Sequence, residues 1–117
     1  MKFVPDCVGN TVKKLASELK SGEVLLLENL RFHKQETTGT ESFAQELASL
    51  GNVYVNDAFG TAHRAHASTT IIAKFFQKDK YFGYVMAGEL ASIHKVLTSA
   101  EKPFTAIMGG AKVSGKI

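Results

Sequence analysis

Apolar residues recur along this chain as short continuous runs separated by stretches with helical spacing. Phe3-Val4-Pro5 predicts a brief extended segment, with Pro5 holding Val4 away from helix. After the cap-type residues Gly9-Asn10-Thr11, Val12, Leu15, Ala16 and Leu19 fall at i, i+3, i+4 and i+7 and predict a helix that Ser21-Gly22 stops. Val24-Leu25-Leu26-Leu27 is an unbroken apolar run between polar residues, the pattern of a strand covered on both faces. Lys34 to Thr40 is polar and predicts a surface loop. Thr38 and Glu41 have capping-box spacing, so a second helix is expected from near Thr40, with Phe43, Leu47 and Leu50 on its buried side and Gly51-Asn52 at its end. Val53-Tyr54-Val55 predicts another buried strand, and Gly60 to Ser68 a structured loop or short helix. Ser68 to Tyr84 has no single reading: β-branched residues lead into a Lys/Asp-rich turn. Met86, Leu90, Ile93 and Leu97 mark a further helix broken before Pro103, and Phe104 to Met108 a last strand running into Gly109-Gly110.

Strands alternating with helices predict an α/β fold with a mainly parallel sheet. In such sheets ligands sit beyond the carboxyl ends of the strands, so the chemistry is expected just after Leu27, Val55 and Met108. A length of 117 residues, 44% hydrophobic and 21% charged, fits one ordinary domain and excludes a disordered tail, a collagen or a disulfide-stapled mini-protein. No apolar run approaches a membrane span, and Met1 to Pro5 has no signal-peptide core. The single cysteine, Cys7, is expected to be a small buried hydrophobe in a reducing cytoplasm. A net charge of +3 admits an anionic small molecule and is too weak and dispersed for nucleic acid.

The distribution of cations is more informative than their sum. Of 14 cationic residues only Arg31 and Arg64 are arginine, and both follow apolar strand-like runs. A planar guanidinium at each place would suit a doubly anionic small molecule carrying phosphate and carboxylate. A surface ion pair, with Glu28 or Asp57 as partner, is the alternative for each. His63 and His66 flank Arg64 symmetrically, but they have no third ligand cluster beside them, and no metal site is expected. After Met108, Gly109-Gly110-Ala111-Lys112 joins a strand end to paired glycines and a lysine, an arrangement that lets backbone N–H groups cradle phosphate. Lys112 and Lys116 would share a helix face. Gly110 to Lys116 also spells a Walker A core, but Ile117 stands where magnesium chemistry needs Ser or Thr.

These stretches together resemble the phosphoglycerate kinase family: Leu26 to Phe32, Val53 to His66, and Pro103 to Lys112, with Lys2 to Gly9 similar as well. The resemblance is colinear over the chain. It implies reversible phosphoryl transfer between 1,3-bisphosphoglycerate and ADP, giving 3-phosphoglycerate and ATP with Mg²⁺, in a cytoplasmic enzyme expected to be a monomer. By this resemblance Arg31 and Arg64 bind the phosphoglycerate; Gly110, Ala111, Lys112 and Lys116 lie at the nucleotide phosphates; and Lys112 is catalytic. Residues 1–85 would belong to the phosphoglycerate-binding domain, 86–101 to the interdomain helix, and 102–117 to the start of the nucleotide-binding domain. The implied fold is a partial Rossmann-like three-layer parallel sheet, with two of the family's strands upstream of Met1 and most of its nucleotide domain beyond Ile117. Two departures are Gly115, where many members carry aspartate, and Lys102, where arginine is frequent. An internal fragment of such an enzyme, inactive alone, is the expectation; a non-catalytic anion-binding module built on Arg31 and Arg64, and a Walker-type NTPase, are the alternatives.

Overall fold

A computed structural model of the chain describes residues 1–107. It is an α/β architecture in which parallel strands pair two by two. Strand β1 (Lys2–Val4) lies parallel to β2 (Leu25–Leu27) with Phe3 opposite Leu26, and β3 (Tyr54–Asn56) lies parallel to β4 (Lys80–Phe82) with Val55 opposite Tyr81. The two pairs are separate, so a continuous sheet is not formed among the described residues.

Helix α1 (Asn10–Ser17) connects β1 to β2. It begins after Gly9, whose φ of 96° is a conformation that side-chain-bearing residues avoid. Val12 is fully buried, and Leu15, Ala16 and Leu19 are half-buried beside it, as the spacing predicts. The helix stops at Ser17, one turn earlier than Ser21.

Lys34 to Thr40 is not a loop. Lys34–Thr38 forms a short helix, α2, closed by Gly39 in the left-handed conformation at φ 67°. Its polar sequence conceals one inward residue, Glu36, which is 1% exposed. Helix α3 (Glu41–Ala48) follows as expected and buries Phe43, Ala44 and Leu47, with Leu50 half-buried. Its N-cap residue is Thr40, and the capping box does not form: the Thr38 hydroxyl turns back to the Lys34 carbonyl at 3.1 Å.

The core lies where α3 packs against a 3-10 segment, Ile71–Phe75. Phe43, Ala44 and Leu47 meet Ile72, Phe76 and Ala67, and Cys7 closes the cluster with no exposed surface. The stretch without a single reading from sequence thus supplies Ile72 and Phe76 of the core and strand β4. Tyr54 stacks on Phe76 at 5.7 Å between ring centroids and ties β3 to that core.

The strands depart most from expectation. Val24, Leu26, Val53 and Val55 are each about half exposed, although their continuous apolar pattern predicts cover on both faces. Helix α4 (Tyr84–Ser99) forms as predicted, yet only Met86 is buried; Leu90, Ile93 and Leu97 remain exposed. Phe104–Ile107 does not form a strand, because among the described residues no neighbour supplies a hydrogen-bonded ladder. In each case the apolar surface is present and its covering element is not among the described residues.

Open parallel edges and apolar strand faces favour association. As a separate polypeptide the 117 residues are expected to bind an apolar dye and elute from size exclusion as associates. The double substitution Leu26→Lys and Val55→Lys should move elution toward the monomer volume. A monomeric, dye-silent parent chain would contradict this.

Candidate functional site

Arg31 sits in a 3-10 turn, Leu30–Phe32, directly after β2. Asn29 shapes the turn by accepting the Arg31 backbone N–H on its side-chain oxygen at 3.0 Å. A second latch holds the far end. His33 Nε2 lies 3.0 Å from Asp6 Oδ1, and since a carboxylate only accepts, Nε2 carries the proton. The same Asp6 oxygen accepts the backbone N–H of Cys7 at 2.7 Å and of Val8 at 3.4 Å, and the His33 ring rests on Phe43 at 5.3 Å. The loop after β1, the Arg31 turn and α3 are therefore fixed to one another.

Arg64 lies in the loop after β3, beyond a 3-10 turn at Phe59–Thr61. Its Nε–H donates to His63 Nε2 at 3.1 Å, which leaves the outer fork of the guanidinium for a ligand. The symmetry of the two histidines in sequence is not kept in space: His63 is exposed beside Arg64, whereas His66 is 4% exposed and turned into the fold.

The surface ion pairs open to the two arginines are not made. Among the described residues neither guanidinium is paired with a carboxylate. Glu28 accepts the Asn29 backbone N–H at 2.6 Å, and Asp57 accepts the Met86 backbone N–H at 2.9 Å. Both arginines are exposed and carry their charge toward solvent.

Helix α2 joins the two arginine turns. Its N-cap is His33, two residues after Arg31. Its other end holds the segment after Arg64: the Glu36 carbonyl accepts the Ala67 N–H at 2.9 Å, Glu36 Oε2 accepts the Ser68 N–H at 3.0 Å, and Glu36 Oε1 accepts the Ser68 hydroxyl at 2.6 Å. Gly39 lets the Ala65 carbonyl approach so closely that an added Cβ would lie 2.5 Å from its oxygen. From the opposite side Tyr54 Oη donates to the Ser68 carbonyl at 2.9 Å and Asn56 Nδ2 to the Thr69 carbonyl at 3.0 Å. Burial, and then the nearby Glu36 carboxylate, push the Tyr54 phenol pKa up, which keeps it a donor.

Asp6, Cys7 and His33 bring one oxygen, one sulfur and one nitrogen within 4.8 Å of one another. Their chemistry is that of the latch rather than of a metal centre. The Asp6 oxygen is already shared among three donors, and burial, reinforced by Asp6, pushes the Cys7 thiol toward its protonated form. A cavity of about 510 Å³ lies elsewhere, over the β3–β4 pair between Tyr54, Ala73, Tyr81 and Phe82. It contains neither arginine and reflects the uncovered sheet face. Gly110, Ala111, Lys112 and Lys116 lie outside the described residues.

All 117 residues match the family model described as phosphoglycerate kinase. The chain belongs to the phosphoglycerate kinase family. It is 61% identical over 112 residues to the phosphoglycerate kinase of Anaeromyxobacter dehalogenans (strain 2CP-C), covering 96% of this chain and 28% of that protein. It is also 51% identical over its whole length to the phosphoglycerate kinase of Aquifex aeolicus (strain VF5), covering 29% of that relative. The chain thus spans less than a third of the length of the phosphoglycerate kinases it matches. No helix among the described residues is long and apolar enough to cross a membrane.

Sequence reading located both arginines but not the residues that hold them. Asp6, within Pro5-Asp6-Cys7-Val8-Gly9, carries a legible turn signal. Glu36 carries none, because its partner Ser68 is 32 residues away.

Two measurements test this framework. Glu36→Ala removes two charge-assisted bonds and leaves the Ser68 N–H orphaned, so it should cost about 3 kcal/mol in chemical denaturation, while Ser68→Ala should cost about half as much. The Asp6 pKa is lowered, first by the Cys7 N–H, then by the Val8 N–H, with His33 adding to this. A carboxyl depressed on folding stabilises the fold above its unfolded pKa, and that contribution is lost as pH falls through the lower folded value. An NMR titration should therefore give Asp6 a midpoint below that of aspartate in an unstructured peptide, with the His33 resonances moving in the same step. An ordinary midpoint would mean the latch is not made.

Proposed function

We propose that this chain is the phosphoglycerate-holding part of a phosphoglycerate kinase, an enzyme that moves a phosphoryl group reversibly between 1,3-bisphosphoglycerate and ADP. The observation that supports this best is the pair of solvent-facing arginines, free of carboxylates among the described residues and carried on turns that helix α2 connects through its one buried residue, Glu36. Arg31 and Arg64 hold the phosphate and carboxylate oxygens of 3-phosphoglycerate or 1,3-bisphosphoglycerate in bidentate fashion, and His63 keeps Arg64 aimed. The two strand pairs belong, on this reading, to one Rossmann-like three-layer parallel sheet whose remaining strands pair with their free edges and whose remaining helices cover the exposed faces of β2 and β3.

Residues 1–85 form the substrate-binding domain, 86–101 the interdomain helix, and 102–117 the entry into the nucleotide domain. There Gly110 and Ala111 offer backbone N–H groups, and Lys112 and Lys116 offer positive charge, to the phosphates of ATP or ADP. No residue from Met108 to Ile117 is acidic, so this stretch offers phosphate contacts and no carboxylate for magnesium. Bound Mg²⁺ neutralises charge on the nucleotide phosphates during transfer. Lys112 places a cation where negative charge moves, which makes it the catalytic residue of the chain. The enzyme acts in the cytoplasm as a monomer, and the 117 residues alone are inactive in a coupled assay with 3-phosphoglycerate and MgATP.

In the full-length protein, Arg31→Ala or Arg64→Ala should lower kcat/KM for 3-phosphoglycerate at least about tenfold, the scale of one lost charge-assisted contact. Lys112→Ala should lower kcat more than it changes the KM for 3-phosphoglycerate. Wild-type kinetics in both arginine variants would leave a non-catalytic role for these side chains.

A further inference from the structure

The loop that carries Arg64 also supports the start of α4. At the end of β3 the Asn56 carbonyl accepts the Gly83 N–H at 2.9 Å. The next residue, Asp57, accepts the Met86 N–H on Oδ1 at 2.9 Å. Met86 is the third residue of α4, and its N–H is one of the donors that a helix N-terminus leaves without an internal partner. The N-cap position is Gly83, which has no side chain to offer. The cap is therefore supplied from 29 residues earlier in the chain. Gly83 makes this possible by its bareness: an added Cβ would overlap the Asp57 carboxyl carbon and lie 2.6 Å from its Cβ.

Short hydrogen bonds lead from the same point to Arg64. Asn56 Oδ1 accepts the Ala58 N–H at 3.0 Å, and the Ala58 carbonyl accepts the Thr61 N–H at 3.2 Å and its hydroxyl at 3.0 Å. The Thr61 carbonyl then accepts the Arg64 N–H at 3.0 Å. Helix α4 has little else to hold it, since Met86 is its only buried residue among those described.

We propose that Asp57 is a positioning residue that couples occupancy of the Arg64 site to the anchoring of helix α4. The inference rests on the reading of Arg64 as a phosphoglycerate ligand. Asp57 acts through the loop rather than on substrate, so its loss should spare binding and impair the step that needs α4 in place.

The test uses the full-length protein and three variants, Asp57→Ala, Gly83→Ala and Asp57→Asn, with amide hydrogen exchange and steady-state kinetics as readouts. Met86 should exchange about tenfold faster in Asp57→Ala and Gly83→Ala, the scale of a lost N-cap. In the wild type, 3-phosphoglycerate should slow exchange at Met86, and in those two variants it should not. Their kcat should fall about tenfold while the KM for 3-phosphoglycerate changes less than about threefold. Asp57→Asn keeps an acceptor oxygen and should retain the protection. Ligand-induced protection of Met86 that persists without the Asp57 carboxylate would overturn the proposal. So would equal losses in kcat and in substrate affinity. Should Asp57→Ala fail to fold, Gly83→Ala decides the matter, because its methyl group displaces the carboxylate while Asp57 remains. Failure of the underlying reading has a different signature: wild-type protein without turnover and without slowed exchange at Arg31 and Arg64. The joint is then judged by the same comparison with inorganic phosphate as the probe.

Discussion

The Glu36 side chain is the point on which the arrangement of this chain turns. A carboxyl group that is 1% exposed, with no cation paired to it among the described residues, is tolerated only where its oxygens find donors. Ser68 supplies both donors, one from backbone and one from its hydroxyl. Meeting that requirement brings α2 and the segment after Arg64 to one place, although more than thirty residues separate them in sequence. The helical turn of Lys34–Thr38, the left-handed Gly39 and the close approach of Ala65 all follow from it. Apolar packing of α3 on Ile71–Phe75 supplies cohesion, and the Glu36 clasp supplies register.

What could be read from the sequence divides along the range of the forces involved. Helices α1, α3 and α4 were legible because a 3.6-residue apolar spacing is local information. The runs at Phe3-Val4, Val24–Leu27 and Val53–Val55 were legible as strands for a similar reason. Helix α2 was not, because its residues are polar and its conformation is selected by bonds to Ala67 and Ser68. Strand β4 was hidden because Lys80-Tyr81-Phe82 becomes a strand only through pairing with β3. Arg31 and Arg64 stood out by their scarcity among lysines. Sequence proximity makes Asp57 a candidate partner for an arginine, whereas the helix it caps begins 27 residues later.

The exposed faces carry a related lesson. A continuous apolar run such as Val24–Leu27 encodes how much cover a strand expects, not whether the described residues provide it. Leu26 on β2 and Val55 on β3, with Val24 and Val53 just before them, are about half exposed beside a well-buried cluster around Cys7, so the core is finished on one side and open on the other. The family match agrees with that picture, since the chain spans under a third of its relatives' length.

Cys7 has a practical consequence of its own. It is the only thiol in the sequence and has no solvent-accessible surface, packed among Phe43, Ala44 and Ala67. A thiol-reactive label can reach it only when α3 and the turn after β1 separate. The labelling rate under native conditions is therefore a clock for that separation, and its dependence on denaturant distinguishes a local breathing motion from complete unfolding. These 117 residues thus carry a single-site reporter already installed in their buried cluster.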